Sequence, residues 1–285
     1  MAGLARVRSI LETPILDEHK WGKVPSLPAD AVLLDLEDSV PPQRKAEARH
    51  KVVEHLGRRE LFAGRLPLPR VNALDTPWGA DDLRALAEAG VELLAYPKLR
   101  RHDELGEVRR RLRSFGADPA VVVVVETALA VLHLEEIAAT AKVAGLILGP
   151  SDLAAEVGWQ LLDDGGVFAD AYHYPRAKLA LVGAAYGLPV YDTVFVSDLR
   201  DTAQVAEAAT HARRMGFTGM ATFYPPHLPV INDAFTPSEP ELARAQAVVD
   251  AYERALARGA AAVQVDGQAL IVQDYKRALR TLGRA

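Results

Sequence analysis

The chain has 285 residues, is 49% hydrophobic, carries a formal net charge of −5 and contains no cysteine. That length can enclose one large core; the missing cysteine excludes disulfides, thiolate metal sites and a cysteine nucleophile. No basic stripe invites nucleic acid, no apolar run reaches the ~18 residues of a membrane span, and the start Met1–Arg8 turns polar too soon for a signal peptide, so the expectation is a cytoplasmic protein.

Short apolar runs alternate with amphipathic segments rich in Ala, Arg and Glu. In chain order the runs predict strands at Val7–Thr13, Ala31–Asp38, Leu66–Asn72, Leu93–Leu99, Val121–Thr127, Gly145–Asp152, Pro189–Phe195 and Gly219–Pro225. Helices are predicted at Asp81–Ala89, Glu135–Val143, Pro175–Tyr186 and Asp201–Met215. Gly90, Gly187 and Gly216 stand where helix-stopping glycines belong. The stretch Trp159–Tyr174, with Asp163-Asp164-Gly165-Gly166 inside it, reads as a long loop or lid. Strands apolar throughout are buried on both faces, hence parallel. Eight of them alternating with helices predict an α/β fold, a closed (β/α)8 TIM barrel. An open doubly wound sheet would normally show a glycine-rich first turn, which this chain lacks. Beyond the barrel, Glu239–Leu256 predicts a long helix, Gly259–Val265 a short strand and Tyr275–Leu282 a last helix. The expected division is a barrel over 1–236 and a C-terminal helical extension over 237–285 that packs at an oligomer interface.

Barrels of this class carry reactive groups at the C-terminal ends of their strands. Glu126 closes the run of five valines, and Asp152 follows Gly149-Pro150-Ser151 at the end of the next strand. Two hard oxygen donors on neighbouring strands suit Mg²⁺; each could instead cap the helix that follows. Arg70, after Pro67-Leu68-Pro69, can grip a carboxylate through two parallel hydrogen bonds, or pair with Glu37 or Asp38, which would then orient it. Gly149, Pro150 and Ser151 form either a backbone N–H cradle for an anion or a plain turn. Lys98 reads as an ion-pair partner in preference to a Schiff-base lysine. The eight histidines show no metal spacing, and neither a P-loop nor a G-x-S-x-G elbow occurs.

Several of these segments together are familiar. Asp35-Leu36-Glu37-Asp38-Ser39-Val40 followed by Lys45-Ala46-Glu47-Ala48-Arg49 resembles the signature of the citrate lyase beta-subunit-like family, grouped with the HpcH/HpaI aldolases and malyl-CoA lyases. Arg70-Val71-Asn72 with Thr76-Pro77-Trp78-Gly79, Glu126-Thr127, Gly149–Ala154 and Asn232–Ser238 resemble further family segments in the same order. The resemblance implies Mg²⁺ held by Glu126 and Asp152, Arg70 on a substrate carboxylate, and homotrimers or hexamers. It also implies reversible carbon–carbon cleavage of a 3-hydroxy acid or its CoA thioester, with an α-oxo acid such as oxaloacetate, pyruvate or glyoxylate as partner. The chain departs from the pattern at Glu12–Trp21, at Phe223-Tyr224, and in the tail. There Ile271 stands at the place of an aspartate that acts from the adjacent subunit in CoA-dependent relatives. Isoleucine cannot move a proton, and Asp192 and Asp266 are the candidates to replace it. The alternative is a barrel that binds an α-oxo acid without catalysis.

Overall fold

A computed structural model describes residues 3–166, 168–260, 262–265 and 268–284. Among the described residues, eight parallel strands close into a barrel in sequence order. They are β1 (Ser9–Pro14), β2 (Ala31–Asp35), β3 (Leu66–Arg70), β4 (Leu93–Tyr96), β5 (Ala120–Val125), β6 (Val143–Leu148), β7 (Val190–Thr193) and β8 (Gly219–Thr222), with β8 pairing back onto β1. The closed parallel barrel is the fold the alternating apolar runs predict.

Helices alternate with the strands: α1 (Glu18–Trp21), α2 (Lys45–Gly57), α3 (Gly79–Glu88), α4 (His102–Ser114), α5 (Ala128–Leu132), α6 (Leu134–Ala138), α7 (Pro150–Val157), α8 (His173–Tyr186), α9 (Thr202–Met215) and α10 (His227–Phe235). The predicted helix Glu135–Val143 is corrected to α6. The chain leaves it through a turn at Lys142, whose φ of 71° is left-handed, and Val143 already belongs to β6. Gly187 and Gly216 end α8 and α9 in left-handed conformations, as C-terminal helix glycines do.

Side-chain parity divides the core. Ile10, Leu33, Leu68, Ala95, Val122, Val124, Ile147, Tyr191 and Ala221 fill the barrel interior. Their neighbours Val32, Leu34, Leu94, Val121, Val123, Val125, Leu148 and Val190 pack outward against the helices. Successive strand residues point to opposite faces, so a valine run satisfies both layers at once. The same parity decides which residue each strand projects above the interior at its C-terminal end.

The predicted strands overrun the observed ones at that end. Glu37, Asp38, Asn72, Leu99, Glu126 and Thr127 lie beyond the ladders, and Asp152 lies in the first turn of α7.

The chain divides into two compact units, one ending at Phe235 and one starting at Thr236. The second contains α11 (Glu239–Leu256), an antiparallel pair β9 (Val263–Val265) and β10 (Gln268–Leu270), and α12 (Val272–Thr281). Ser238 and Glu241 form a capping box that starts α11. Its small core joins Ala245, Val248, Val249, Leu270 and Ala278. Among the described residues no helix is long and apolar enough to cross a membrane.

Candidate active site at the strand ends

Interior parity carries Glu12, Arg70, Glu126, Gly149, Thr193 and Phe223 to the C-terminal rim. All six line a cavity of about 210 Å³ there, together with Asp38, Ser151 and Asp152.

Arg70 is the best-fixed group. Its Nε donates to Asp35 Oδ1 at 2.7 Å, an Nη donates to Glu12 Oε1 at 2.9 Å, and Glu37 Oε2 lies 3.5 Å from Nε. Burial alone would favour loss of its proton, but the charges of Asp35 and Glu12 push its pKa well above the ordinary arginine value. Asp35 also accepts from the backbone N–H groups of Glu37 and Ser39. Burial works against its charge, yet Arg70 and these bonds hold it at about 2.

Of the two expected partners of Arg70, Asp38 needs correction and Glu37 does not. Glu37 pairs with Arg70 as expected, through an ion contact of 3.5 Å between Oε2 and Nε, though without a hydrogen bond. Asp38 does not reach Arg70; at the edge of the cleft it accepts from Lys98 Nζ at 3.0 Å. Asp35 and Glu12 accept the hydrogen bonds that orient Arg70. Strand parity was the available signal: Asp35 follows Ala31 and Leu33 on the interior face, as Arg70 follows Leu66 and Leu68.

Lys98 adopts a left-handed φ of 51°. Its Nζ lies 2.8 Å from Glu37, 3.0 Å from Asp38 and 3.8 Å from Asp152. Burial would lower its pKa, but the bond to Glu37 and the acids around it raise the ammonium above its usual value. A lysine held so firmly charged is an ion-pair partner and is unsuited to Schiff-base chemistry.

Glu126 is 2% exposed and accepts from the Lys98 backbone N–H at 2.6 Å. It packs against the bare Cα of Gly149, where a Cβ would come within 2.6 Å of both Glu126 Cβ and Oε2. Burial, then the charge of Glu37, pushes Glu126 up to about 8, and Asp152 adds to the rise. Glu126 thus feels the charge of Asp152 across the turn. Neither fits the simple capping alternative: the N-cap of α5 is Thr127, whose hydroxyl accepts from Ala130 N–H, and Asp152 lies inside the first turn of α7.

No group of three His, Cys, Asp or Glu among the described residues could enclose a metal. Two carboxylates with an open cleft beside them match Mg²⁺, which keeps waters and takes few protein ligands. A buried acid that stays ionised only beside added positive charge is the chemistry such an ion supplies. The residues present fit the group.

Beneath the rim, buried Lys45 donates to the carbonyls of Leu36 and Glu37 and to Asn72 Oδ1, at 2.7, 2.7 and 2.6 Å. Asn72 Nδ2 donates to Leu36 O and Asp82 Oδ2, and Arg49 donates to Asp82. The segment Lys45–Arg49 therefore fixes the turn that carries Glu37 and Asp38. Asp192, a candidate replacement for the tail aspartate, is fully buried and bonded twice to Arg176, so it cannot reach the cleft. The other candidate, Asp266, lies outside the described residues.

Fold and rim together define a (β/α)8 barrel protein with a small, charged cleft where such barrels carry their chemistry. Residues 13–225 match the family model described as HpcH/HpaI aldolase/citrate lyase, and the chain belongs to that family. A (3S)-malyl-CoA thioesterase of Cereibacter sphaeroides is 32% identical over 278 residues, 98% of this chain and 94% of the relative. The structure of CitE from Mycobacterium tuberculosis with magnesium, acetoacetate and coenzyme A has a TM-score of 0.83 at 27% identity, covering 99% of each chain. A citrate lyase beta subunit from the same organism, complexed with oxaloacetate and magnesium, has a TM-score of 0.72 at 28% identity, covering 83% of this chain and all of that one.

Proposed function

We propose that the protein is a Mg²⁺-dependent carbon–carbon lyase that cleaves, or in reverse forms, a 3-hydroxy carboxylate or its CoA thioester, with an α-oxo acid as one product. The observation that carries this reading is the buried Glu126 carboxylate, seated on Gly149 and electrostatically coupled to Asp152. Family membership supports it, as do relatives bound to magnesium with oxaloacetate or with acetoacetate and coenzyme A.

Glu126 and Asp152 would hold the ion, which when bound supplies a Lewis acid for a substrate oxygen. Arg70 binds the substrate carboxylate with the donor edge that Asp35 and Glu12 leave free, and they keep the guanidinium oriented. Glu37 and Asp38 act one step away, by anchoring Lys98 at the edge of the cleft. The Gly149-Pro150-Ser151 turn bounds the pocket on the far side. In cleavage the hydroxyl loses its proton and becomes the oxo group of the acid product. The adjacent carbon–carbon bond breaks, and its electron pair goes to the carbon next to the acyl group, which then takes up a proton.

The reading includes assembly into trimers, single or paired, supported by exposed Ile271 and Val272 at the start of α12. Sedimentation at working concentration tests it. One observation favours a second reading, a non-catalytic α-oxo-acid-binding barrel: Ile271 at the tail position, with Asp192 locked away by Arg176. Turnover separates the two. Incubation with malyl-, citramalyl- and citryl-type substrates and Mg²⁺ is expected to release an α-oxo acid in at least one case. Calorimetric binding without turnover of any of them would favour the second reading, and no binding would remove both.

A further inference from the structure

We propose that Glu12 is a catalytic residue, whose carboxylate takes the proton from the substrate hydroxyl as the carbon–carbon bond breaks and returns it to that oxygen in the reverse direction. This deepens the lyase reading and rests on it. Such a group is required, because the hydroxyl must give up its proton to become the oxo group of the acid product. Among the described residues that line the cleft, the titratable ones are Glu12, Asp38, Arg70, Glu126 and Asp152. Glu126 and Asp152 are assigned to the ion, Asp38 accepts from Lys98, and Arg70 is held charged. The hydroxyls in the lining are poor substitutes. Thr193 donates to Leu148 O, Thr222 is held between His227 Nδ1 and the Tyr224 N–H, and a serine hydroxyl such as that of Ser151 is a far weaker base than a carboxylate. Glu12 remains.

Strand parity puts it there. Glu12 follows Ile10 on the interior face and stands opposite Leu33 in the register of β1 on β2. Its Oε1 accepts from an Arg70 Nη at 2.9 Å, and among the described residues Oε2 has no hydrogen-bond partner. The side chain is 32% exposed, so the acid is anchored without being closed off. In a hydroxy acid that yields an α-oxo acid on cleavage, the hydroxyl stands on the carbon that bears the carboxylate. A carboxylate gripped by the free edge of Arg70 therefore brings that hydroxyl beside the acid bonded to the same guanidinium. Burial raises the proton affinity of Glu12 above that of an ordinary carboxylate; Arg70 opposes the rise, and Asp35 and Asp38 add to it.

In cleavage the hydroxyl O–H bond breaks and an O–H bond forms on Glu12. The pair left on the substrate oxygen makes the carbon–oxygen double bond. The pair of the broken carbon–carbon bond moves to the carbon next to the acyl group, which takes a proton from water. Glu12 then gives its proton back to water, and no other reactant is consumed.

Two variants of the full chain separate proton transfer from mere orientation of Arg70. Glu12→Gln keeps an oxygen that accepts from Arg70 but cannot take up a proton. Glu12→Asp keeps the proton acceptor on a shorter stem. With a malyl-, citramalyl- or citryl-type substrate that the wild type cleaves, Glu12→Gln is expected to lower kcat by about 10²–10⁴-fold with KM near wild type, and Glu12→Asp to retain more activity than Glu12→Gln. An orienting role gives the opposite order, with the loss in KM. Titration calorimetry in Mg²⁺ with pyruvate, which has no hydroxyl to deprotonate, is expected to give wild-type affinity for Glu12→Gln. Wild-type kcat in Glu12→Gln would overturn the proposal while leaving the lyase reading intact. So would Glu12→Asp being the less active variant, or loss of pyruvate binding in Glu12→Gln. If the wild type cleaves none of these substrates, the lyase reading fails and this proposal with it.

Discussion

Replacing Gly149 with alanine isolates the contact on which the proposed metal site depends. The backbone there has φ −103° and ψ 86°, which alanine can adopt, so the penalty is steric and not conformational. The new Cβ would lie 2.6 Å from Glu126 Cβ, 2.6 Å from Glu126 Oε2 and 3.1 Å from Val124 Cγ1. The carboxylate oxygen could swing aside, but Glu126 Cβ moves only if the end of β5 moves. Overpacking of this kind costs about 1–3 kcal/mol. If the chain relieves it by displacing Glu126, Mg²⁺ affinity falls by roughly tenfold to a hundredfold. If the clash is absorbed by the fold, the melting temperature falls by several degrees, at about 2–4 °C per kcal/mol for a domain of this size. Calorimetric titration with Mg²⁺ and a thermal melt, run on the same preparation, read both. A variant that binds Mg²⁺ as the wild type does and melts at the same temperature would refute the packing of Glu126 on Gly149.

Three further outcomes follow from the rim. Asp35 is held at about 2 against an ordinary 3.8, worth about 2 kcal/mol. Because its folded-state pKa is depressed, that stability is fully present above about pH 4 and is lost as pH falls toward 2. Urea melts between pH 5 and 2 should show this slope, and Asp35→Asn should flatten it; an equal slope in both proteins would assign the acid sensitivity elsewhere. Arg70→Lys leaves one ammonium to serve Asp35, Glu12 and the substrate, and should lower kcat/KM on the order of 10- to 100-fold, while Mg²⁺ binding without substrate stays near wild type. Lys45→Met strands the carbonyls of Leu36 and Glu37 and the amide of Asn72, and should cost roughly 3 kcal/mol of stability in a denaturant melt; a loss under 1 kcal/mol would show that water replaces the ammonium.

The barrel was legible because burial on two faces leaves a plain trace: Val121–Val125 has no polar face, and Ala31–Leu34 and Val143–Leu148 share the trait. The identities at the rim were also legible, since Glu126, Asp152 and Arg70 are charged residues at the ends of apolar runs. What the sequence hid was pairing. Glu37 and Asp38 are close to Asp35 along the chain; alternation of faces sets Asp38 apart, but Asp35 and Glu37 share a parity, and Glu37, past the end of β2, meets both Arg70 and Lys98. Glu12 was overlooked for a similar reason. It sits in a segment that departs from the family pattern, although Ile10, two residues earlier, marks the interior face. The role of Lys45 depends on carbonyls nine and eight residues earlier, and no periodicity reports a turn folding back onto a helix start.

The central claim is that Glu126 and Asp152 share a divalent cation and that this cation, with Arg70, receives an α-oxo acid. A crystal structure grown in Mg²⁺ and pyruvate tests it most directly. The account predicts an ion with one oxygen from each of the two carboxylates at about 2.0–2.1 Å and the pyruvate carboxylate within hydrogen-bonding distance of the cleft. An empty cleft with Glu126 and Asp152 turned apart, in crystals holding ample magnesium, would contradict it.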